Sequence, residues 1–468
     1  MAPKIVGKSA GWIGPVEEVV RNKGSVGRRK IVFVGASYKF VHRVFRDMLL
    51  VGGFNDCEIV IHDLDEAPMT LVGDLVERMA RQKRTKVVVS RTTDRRAALQ
   101  GADAILLSIT TGGQEADFRA FEACAKHGIP VGVGDTLGPA ALARNLREIP
   151  VVLDLVRAMA KLCPKAVLLN FTNPMSCITA VAARYSPIVT YGLCHSGDAL
   201  FGYFAEVFGC KKKQVEMELG GVNHQAFVTR LWIKGTDRTA EMLDASLASQ
   251  AKIPDTLMGT ADEVRLQQDI YRILRAWPSC GGTHLAEFYQ WFYTPRRIGL
   301  LESHRVKRIV PGRERFGRRE PPAILREWAY GAEPVGDLHL LTNEHAHELM
   351  WAHLTGEPYT RVLNVLNTGE YIKGLPRDAC VEVIATVKGR RLTARPIELP
   401  SAVHSLVQRW VTIHELSIRA AMHCDRDAAH QALFLDAHTQ DLYDIPLLLD
   451  DFLKCLEPWM PRGWYTRG

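Results

Sequence analysis

Lys30-Ile31-Val32-Phe33-Val34-Gly35-Ala36-Ser37 is an apolar run that stops at a turn of small residues. Behind it Phe40, Val44, Met48 and Val51 recur at helical spacing, and Glu58-Ile59-Val60-Ile61-His62-Asp63 is a second apolar run closed by an acid. An uninterrupted apolar run reads as a strand buried on both faces, as in a parallel sheet. Strand, tight turn, helix, strand, acid is the order of a dinucleotide-binding unit. In that unit Gly35 and Ser37 lie at the turn, where free N–H groups of the helix N-terminus take phosphates. Asp63 is placed to hold ribose hydroxyls. The turn is poor in glycine, with Ser37 and Phe40 where G-x-G-x-x-G has glycines, so by itself it leaves cofactor binding open.

The alternation continues outward. Lys86–Val89 and Ala102–Ser108 read as strands, and the second exits into Thr110-Thr111-Gly112-Gly113, with Thr110 set to line the cofactor crevice. Arg119 follows on the next helix, where a solvated surface role is the default. Strands near 129–133 and 166–169 complete this half. The fold class is therefore α/β: an N-terminal Rossmann-type doubly wound parallel sheet with a C-terminal α+β substrate and oligomerisation domain. The expected divisions are a lead-in over 1–28, the nucleotide domain over 29–200 and the second domain over 201–468. In that second domain 239–276 reads as long, partly amphipathic helix, and 281–293 as a polar cluster among aromatics. Residues 305–319 form a basic loop, Glu382–Val387 a strand, and 401–424 and 428–456 helices.

Three strand exits carry the chemistry. Ala166–Leu169 runs into Asn170-Phe171-Thr172-Asn173-Pro174, Ile188–Leu193 into Cys194-His195-Ser196, and a short β-like stretch into Gly220-Gly221-Val222-Asn223-His224. In an open α/β sheet the strand exits are where ligands bind, and Cys and His are soft-to-borderline metal ligands. Each feature taken singly is more often structural: a buried thiol, a hydrogen-bonded His, an Asn-Pro turn. Their convergence on consecutive exits is what argues for a site.

Composition narrows the class. The 468 residues are 47% hydrophobic and 24% charged, ordinary for a globular enzyme of two packed subdomains. A net charge of +7 is too diffuse for nucleic acid but suits an anionic small substrate. The 10 cysteines show no CxxC pair and read as reduced thiols of a cytoplasmic protein. No apolar run reaches membrane-spanning length, and the N-terminus lacks a signal-peptide core.

At this point the chain resembles glycoside hydrolase family 4, the NAD- and divalent-metal-dependent glycosidases, from Lys30 to about Pro461. The resemblance rests on the three exits above, on Thr283-His284-Leu285-Ala286-Glu287-Phe288, on Asn367–Pro376 and on Val381-Glu382-Val383. It implies that Cys194 and His224 are the two protein ligands of Mn²⁺ or a similar ion, with sugar hydroxyls completing the shell. It implies substrate contacts from Asn173 and Arg119, and a proton donor at His195, where other members carry Asp. The chemistry implied is oxidation at sugar C3 by NAD, removal of the C2 proton, loss of the aglycone, water addition and re-reduction, an exception to two-carboxylate glycoside hydrolysis. The substrate implied is a small carbohydrate, an unphosphorylated α-hexoside, and the assembly a homodimer or homotetramer. Gly282 stands where related enzymes have an Asp, so His284, Tyr271 and a metal-bound hydroxide are all open as the C2 base. The basic 305–319 segment, with Arg305, leaves room for a uronic or sulfonated sugar. A plain NAD-dependent 2-hydroxyacid dehydrogenase shares the nucleotide half and is the competing class.

Overall fold

The computed structural model describes residues 14–15, 24–129, 131–249, 251, 263–289, 321–336, 338–342, 344–439 and 441–466. Six strands build the nucleotide half: β1 (Lys30–Val34), β2 (Glu58–His62), β3 (Val88–Thr92), β4 (Ala104–Leu107), β5 (Val167–Asn170) and β6 (Val189–Gly192). They pair in parallel in the spatial order β3-β2-β1-β4-β5-β6, which is the 3-2-1-4-5-6 arrangement of a Rossmann sheet. Ile31, Val32, Ile59, Ile105 and Leu168 are fully buried, because helices cover both faces. One of them, α1 (Val41–Val51), buries Val41, Val44, Phe45, Met48 and Val51 on a single stripe.

The second half does not build a separate sheet. β7 (Val215–Val222), β8 (Gln225–Ile233), β9 (Tyr359–Leu366), β10 (Cys380–Lys388) and β11 (Arg391–Ala394) extend the first one antiparallel. β9 meets β6 through the single pairing of Asn364 with Gly192, and β10, β7 and β8 follow outward. The junction requires glycine: a Cβ at Gly192 would lie 2.5 Å from Thr179 Oγ1 and 2.8 Å from the Asn364 Cβ. One 13-stranded sheet thus runs through both halves. The helix α2 (Ser196–Val207) crosses residue 200, where the boundary between the halves was expected.

Other expectations need correction. β3 starts two residues after Lys86. Among the described residues of 129–133 there is no named strand; the Val131–Gly134 segment is a loop held by a buried carboxylate, described below. The expected helix over 239–276 is a 3-10 turn at Thr239–Glu241, a short helix at Met242–Ala248 and another at Glu263–Leu274; Ser249 turns extended and ends the first of these. The 428–456 stretch is two helices, Arg426–Leu435 and Asp444–Cys455, separated where Asp436 becomes extended. The basic 305–319 segment lies outside the described residues. No helix among the described residues is long and apolar enough to cross a membrane, and all ten cysteines are free.

Gly35 sits at the switch point between β1 and β4 with φ +96, and a Cβ there would lie 2.1 Å from the Ser108 carbonyl oxygen. Left-handed backbone alone costs a non-glycine residue roughly 1–2 kcal/mol, and this clash is with backbone, which has little room to yield. Gly35→Ala is expected to lower Tm by several degrees and to widen the turn. A thermal melt superimposable on that of the parent would show that the turn relaxes freely.

Candidate active site

The carboxyl ends of the parallel strands open onto one cavity of ≈ 250 Å³. Ser37 and Lys39 reach it from the turn after β1, Ser108 and Thr110 from the exit of β4, Asn173 from the exit of β5, and Cys194 and His195 from the exit of β6. His224 enters from the β7–β8 hairpin and His284 from the short helix Gly282–Ala286. The hairpin loop is Asn223-His224, and His224 has φ 62, an uncommon conformation for a residue with a side chain. The tight loop aims the ring at the cavity from a rigid pair of strands.

Asp135, which the sequence reading passed over, stands at the centre. Its signal was available: an acid at the exit of the expected 129–133 strand, placed like the other exits. Asp135 Oδ1 accepts from the Thr136 hydroxyl at 2.7 Å, and Oδ2 accepts from the Asn173 amide at 2.8 Å. One donor atom each from Asp135, His224 and His284 lies within 4.8 Å of the others. The two imidazole rings meet edge to face, with centroids 4.3 Å apart. Burial alone would raise the Asp135 pKa, but His284, His224 and Arg144 outweigh it and hold the carboxyl at about 2. Burial, and then His224, pushes His284 down to about 3, so at neutral pH its ring is uncharged and keeps a lone pair. A carboxylate and imidazoles are a donor set that suits Mn²⁺, Fe²⁺ or Zn²⁺, so the residues present fit a divalent ion.

Further carboxylates support this arrangement. Glu287 accepts backbone N–H groups of Val133 and of Gly134, the latter at 2.7 Å, and thereby holds the loop that carries Asp135. The His195 Nδ1 lies 3.9 Å from buried Glu344, which also faces Arg43 at 3.6 Å. Burial would raise the Glu344 pKa, but His195, Arg43 and Lys39 hold it below the usual range. Cys194 Sγ is 3.1 Å from the Ser196 hydroxyl.

Two expected participants lie elsewhere. Arg119 bonds Glu115 at 2.8 Å and the Cys455 carbonyl at 3.2 Å, and stacks over Trp459; it does not line the cavity. Its place on the outer side of the Gly113–Lys126 helix gives it to C-terminal packing. Tyr271 packs on Trp277 and donates to the Thr239 carbonyl at 3.1 Å, within a second apolar cluster. Its hydroxyl is committed there, which leaves His284 as the cavity's side-chain candidate for the C2 base among those named from sequence. Asp63 lies in the crevice turn, but its Oδ2 accepts from the Ala36 N–H at 2.6 Å and its Oδ1 from the Asp65 N–H at 3.0 Å. It braces the turn.

Behind the hairpin, Glu382 Oε2 accepts from Asn223 at 3.1 Å and from Asn364 at 2.8 Å. Burial, reinforced by Cys194, raises its pKa from 4.5 to about 8. The folded protein therefore keeps a proton that the unfolded chain releases near pH 4.5. Stability from this group is full below that pH and is lost as pH rises towards 8, at about 1.4 kcal/mol per pH unit in between. Burial raises Glu287 to about 8 as well, so it adds the same slope. Glu382→Gln is expected to flatten the decline of Tm between pH 5 and 8 while leaving the share due to Glu287; an unchanged slope would mean that Glu382 is ionised in the folded state.

Comparison with known proteins agrees with this geometry. Residues 30–208 match the model of family 4 glycosyl hydrolases, and residues 219–439 match the model of the family 4 glycosyl hydrolase C-terminal domain. The chain is 28% identical over 444 residues to an α-galactosidase of Bacillus subtilis (strain 168), covering 93% of this chain and 99% of that protein. It is 29% identical over 398 residues to an α-galacturonidase of the same organism, covering 77% and 82%. Among solved structures it resembles the 6-phospho-β-glucosidase from Thermotoga maritima with manganese, NAD⁺ and glucose-6-phosphate. That match has TM-score 0.74 and 20% identity, over 92% of this chain and 99% of that one. With both halves matched over one continuous sheet and one cavity, the chain belongs to the family 4 glycosyl hydrolases.

Proposed function

We propose that this protein hydrolyses an α-hexoside through transient oxidation of the sugar ring, using NAD and a divalent ion such as Mn²⁺. The observation that carries the reading is the cavity itself, in which a Rossmann switch-point crevice opens directly onto Cys194, His195, His224 and His284. The crevice would hold NAD between Gly35, Ser37 and Thr110, with Asp63 at its ribose end. His224 and Cys194 would hold the ion, and Asn173 would contact the sugar. When bound, NAD supplies reversible hydride exchange at C3 and the ion polarises the C3 oxygen, which together make the neighbouring C2–H acidic.

The chain's own residues handle the protons. His284 lines the cavity and would be the side chain that takes the C2 proton. His195 turns Nδ1 towards the Glu344 carboxylate, which leaves Nε2 as the ring nitrogen able to donate to the departing aglycone oxygen. The protein in this reading is a cytoplasmic homo-oligomer with reduced thiols. In this reading the cofactor would not be consumed, so NADH would not accumulate as it does with a 2-hydroxyacid dehydrogenase. On an aryl α-hexoside, activity is expected to vanish after removal of NAD⁺ or of divalent metal and to return only when both are restored. Full turnover by the stripped, chelated protein, or stoichiometric build-up of NADH absorbance, would refute the mechanism.

A second reading concerns the sugar's charge, and Lys39 favours it. The Lys39 ammonium reaches the cavity from the β1 turn and lies over Phe40, 5.2 Å from the ring centroid. Phe40 in turn stacks on Phe171 at 4.8 Å. Burial lowers the Lys39 pKa, Glu344 and Asp135 act on its charge from nearby, and it forms no salt bridge among the described residues. A cation so placed would pair with the carboxylate of a hexuronoside, the substrate class named for the α-galacturonidase relative. Losing a charged hydrogen bond costs roughly 1.5–3 kcal/mol. Lys39→Met is therefore expected to lower kcat/KM on an aryl α-hexuronoside about tenfold or more, with little change on the neutral hexoside or in NAD⁺ affinity. A parent enzyme that prefers the neutral sugar would exclude the uronate.

A further inference from the structure

We propose that Asp135 is a direct ligand of the divalent ion, so that the protein supplies a third ligand beside His224 and Cys194 and binds the ion before any sugar arrives. This rests on the reading above that the cavity takes a divalent ion. It departs from a site of two protein ligands completed by sugar hydroxyls.

The hydrogen bonds around Thr136 carry the argument. Its hydroxyl lies 2.7 Å from Asp135 Oδ1 and 2.7 Å from His224 Nδ1. A hydroxyl has one proton to give, and a carboxylate can only accept. Thr136 must therefore donate to Asp135 and accept from His224, which makes Nδ1 the protonated ring nitrogen. The lone pair of His224 is then on Nε2, the nitrogen left to face an ion. One side chain thus sets the tautomer of the imidazole and the orientation of the carboxylate together. This is how partners behind a metal site orient its ligands.

Asp135 is held from its other side as well. Asn173 donates to Oδ2, and Glu287 fixes the backbone of the preceding Val133 and Gly134. Each carboxylate oxygen has one partner and keeps further lone-pair capacity. One donor atom of Asp135 lies within 4.8 Å of one on His224 and one on His284. A carboxylate ligand also brings negative charge to a divalent ion, and hard oxygen donors favour Mn²⁺ over softer competitors.

The test is Mn²⁺ binding by calorimetry on NAD-loaded protein without sugar, for the parent, Asp135→Asn, Asp135→Glu and Thr136→Val. Circular dichroism and a thermal melt confirm that each variant is folded. The parent is expected to bind one Mn²⁺ without sugar. Asp135→Asn, which keeps the size and polarity of the side chain, is expected to weaken binding at least tenfold, and Asp135→Glu to recover part of the loss. Thr136→Val is expected to weaken it roughly 10–100-fold, as for a partner that orients ligands. Parent-like Mn²⁺ affinity in Asp135→Asn, with only KM for the sugar raised, would overturn the proposal and make Asp135 a substrate contact. Binding by the parent only after sugar is added would also overturn it, while leaving the two-ligand reading intact. No Mn²⁺ binding by the parent under either condition would bring down both.

Discussion

The carboxyl group of Glu382 is the joint on which the two halves of this protein meet. It accepts from Asn364, the one residue by which β9 pairs with β6, and from Asn223, in the hairpin that carries His224. Gly192, across from Asn364, lies two residues before Cys194. A single buried acid therefore ties both strand ends that present the metal-ligand candidates to the seam between parallel and antiparallel sheet. Such a group is costly to bury charged, and its raised pKa is the physical consequence.

That joint explains why the cavity is assembled from so many elements and is still well defined. Its walls come from the exits of four parallel strands, a hairpin and a five-residue helix. Three of the side chains they carry are held by buried partners: Asp135 through Glu287, which fixes its loop, His224 through Thr136, and His195 through Glu344. Loops carry function well when a rigid scaffold positions them. The charges inside also sort by environment. Asp135 lies by the Arg144 guanidinium and Glu344 by Arg43 and Lys39, and both are held low, while burial together with Asp135 raises Glu287 and burial together with Cys194 raises Glu382. Burial is common to all four; the neighbouring charge decides the outcome.

Much of this was legible in the chain. Apolar runs ending in polar residues determined the parallel sheet and the strand exits, because a strand buried on both faces has no alternative composition. The exits at Asn173, Cys194, His195 and His224 converge on one cavity for the same reason, since parallel strands all present their carboxyl ends on one side. Helical spacing in the second half was less informative. An amphipathic stripe runs on across Ser249 and Asp436, where the backbone turns extended, so continuous periodicity hid the breaks.

Tertiary structure alone decided the rest. Nothing local distinguishes Arg119 from an arginine that reaches a sugar; its guanidinium is captured by Glu115, Trp459 and the Cys455 carbonyl, the last two from the far end of the chain. Tyr271 is removed from proton chemistry by a carbonyl more than thirty residues away. Asp135 became central because Asn173 and His224, distant in sequence, close around it with its neighbour Thr136. Composition and spacing determine which strands form and where they end. Which side chains share a cavity depends on contacts between residues far apart in the chain, and those exist only once the sheet is closed.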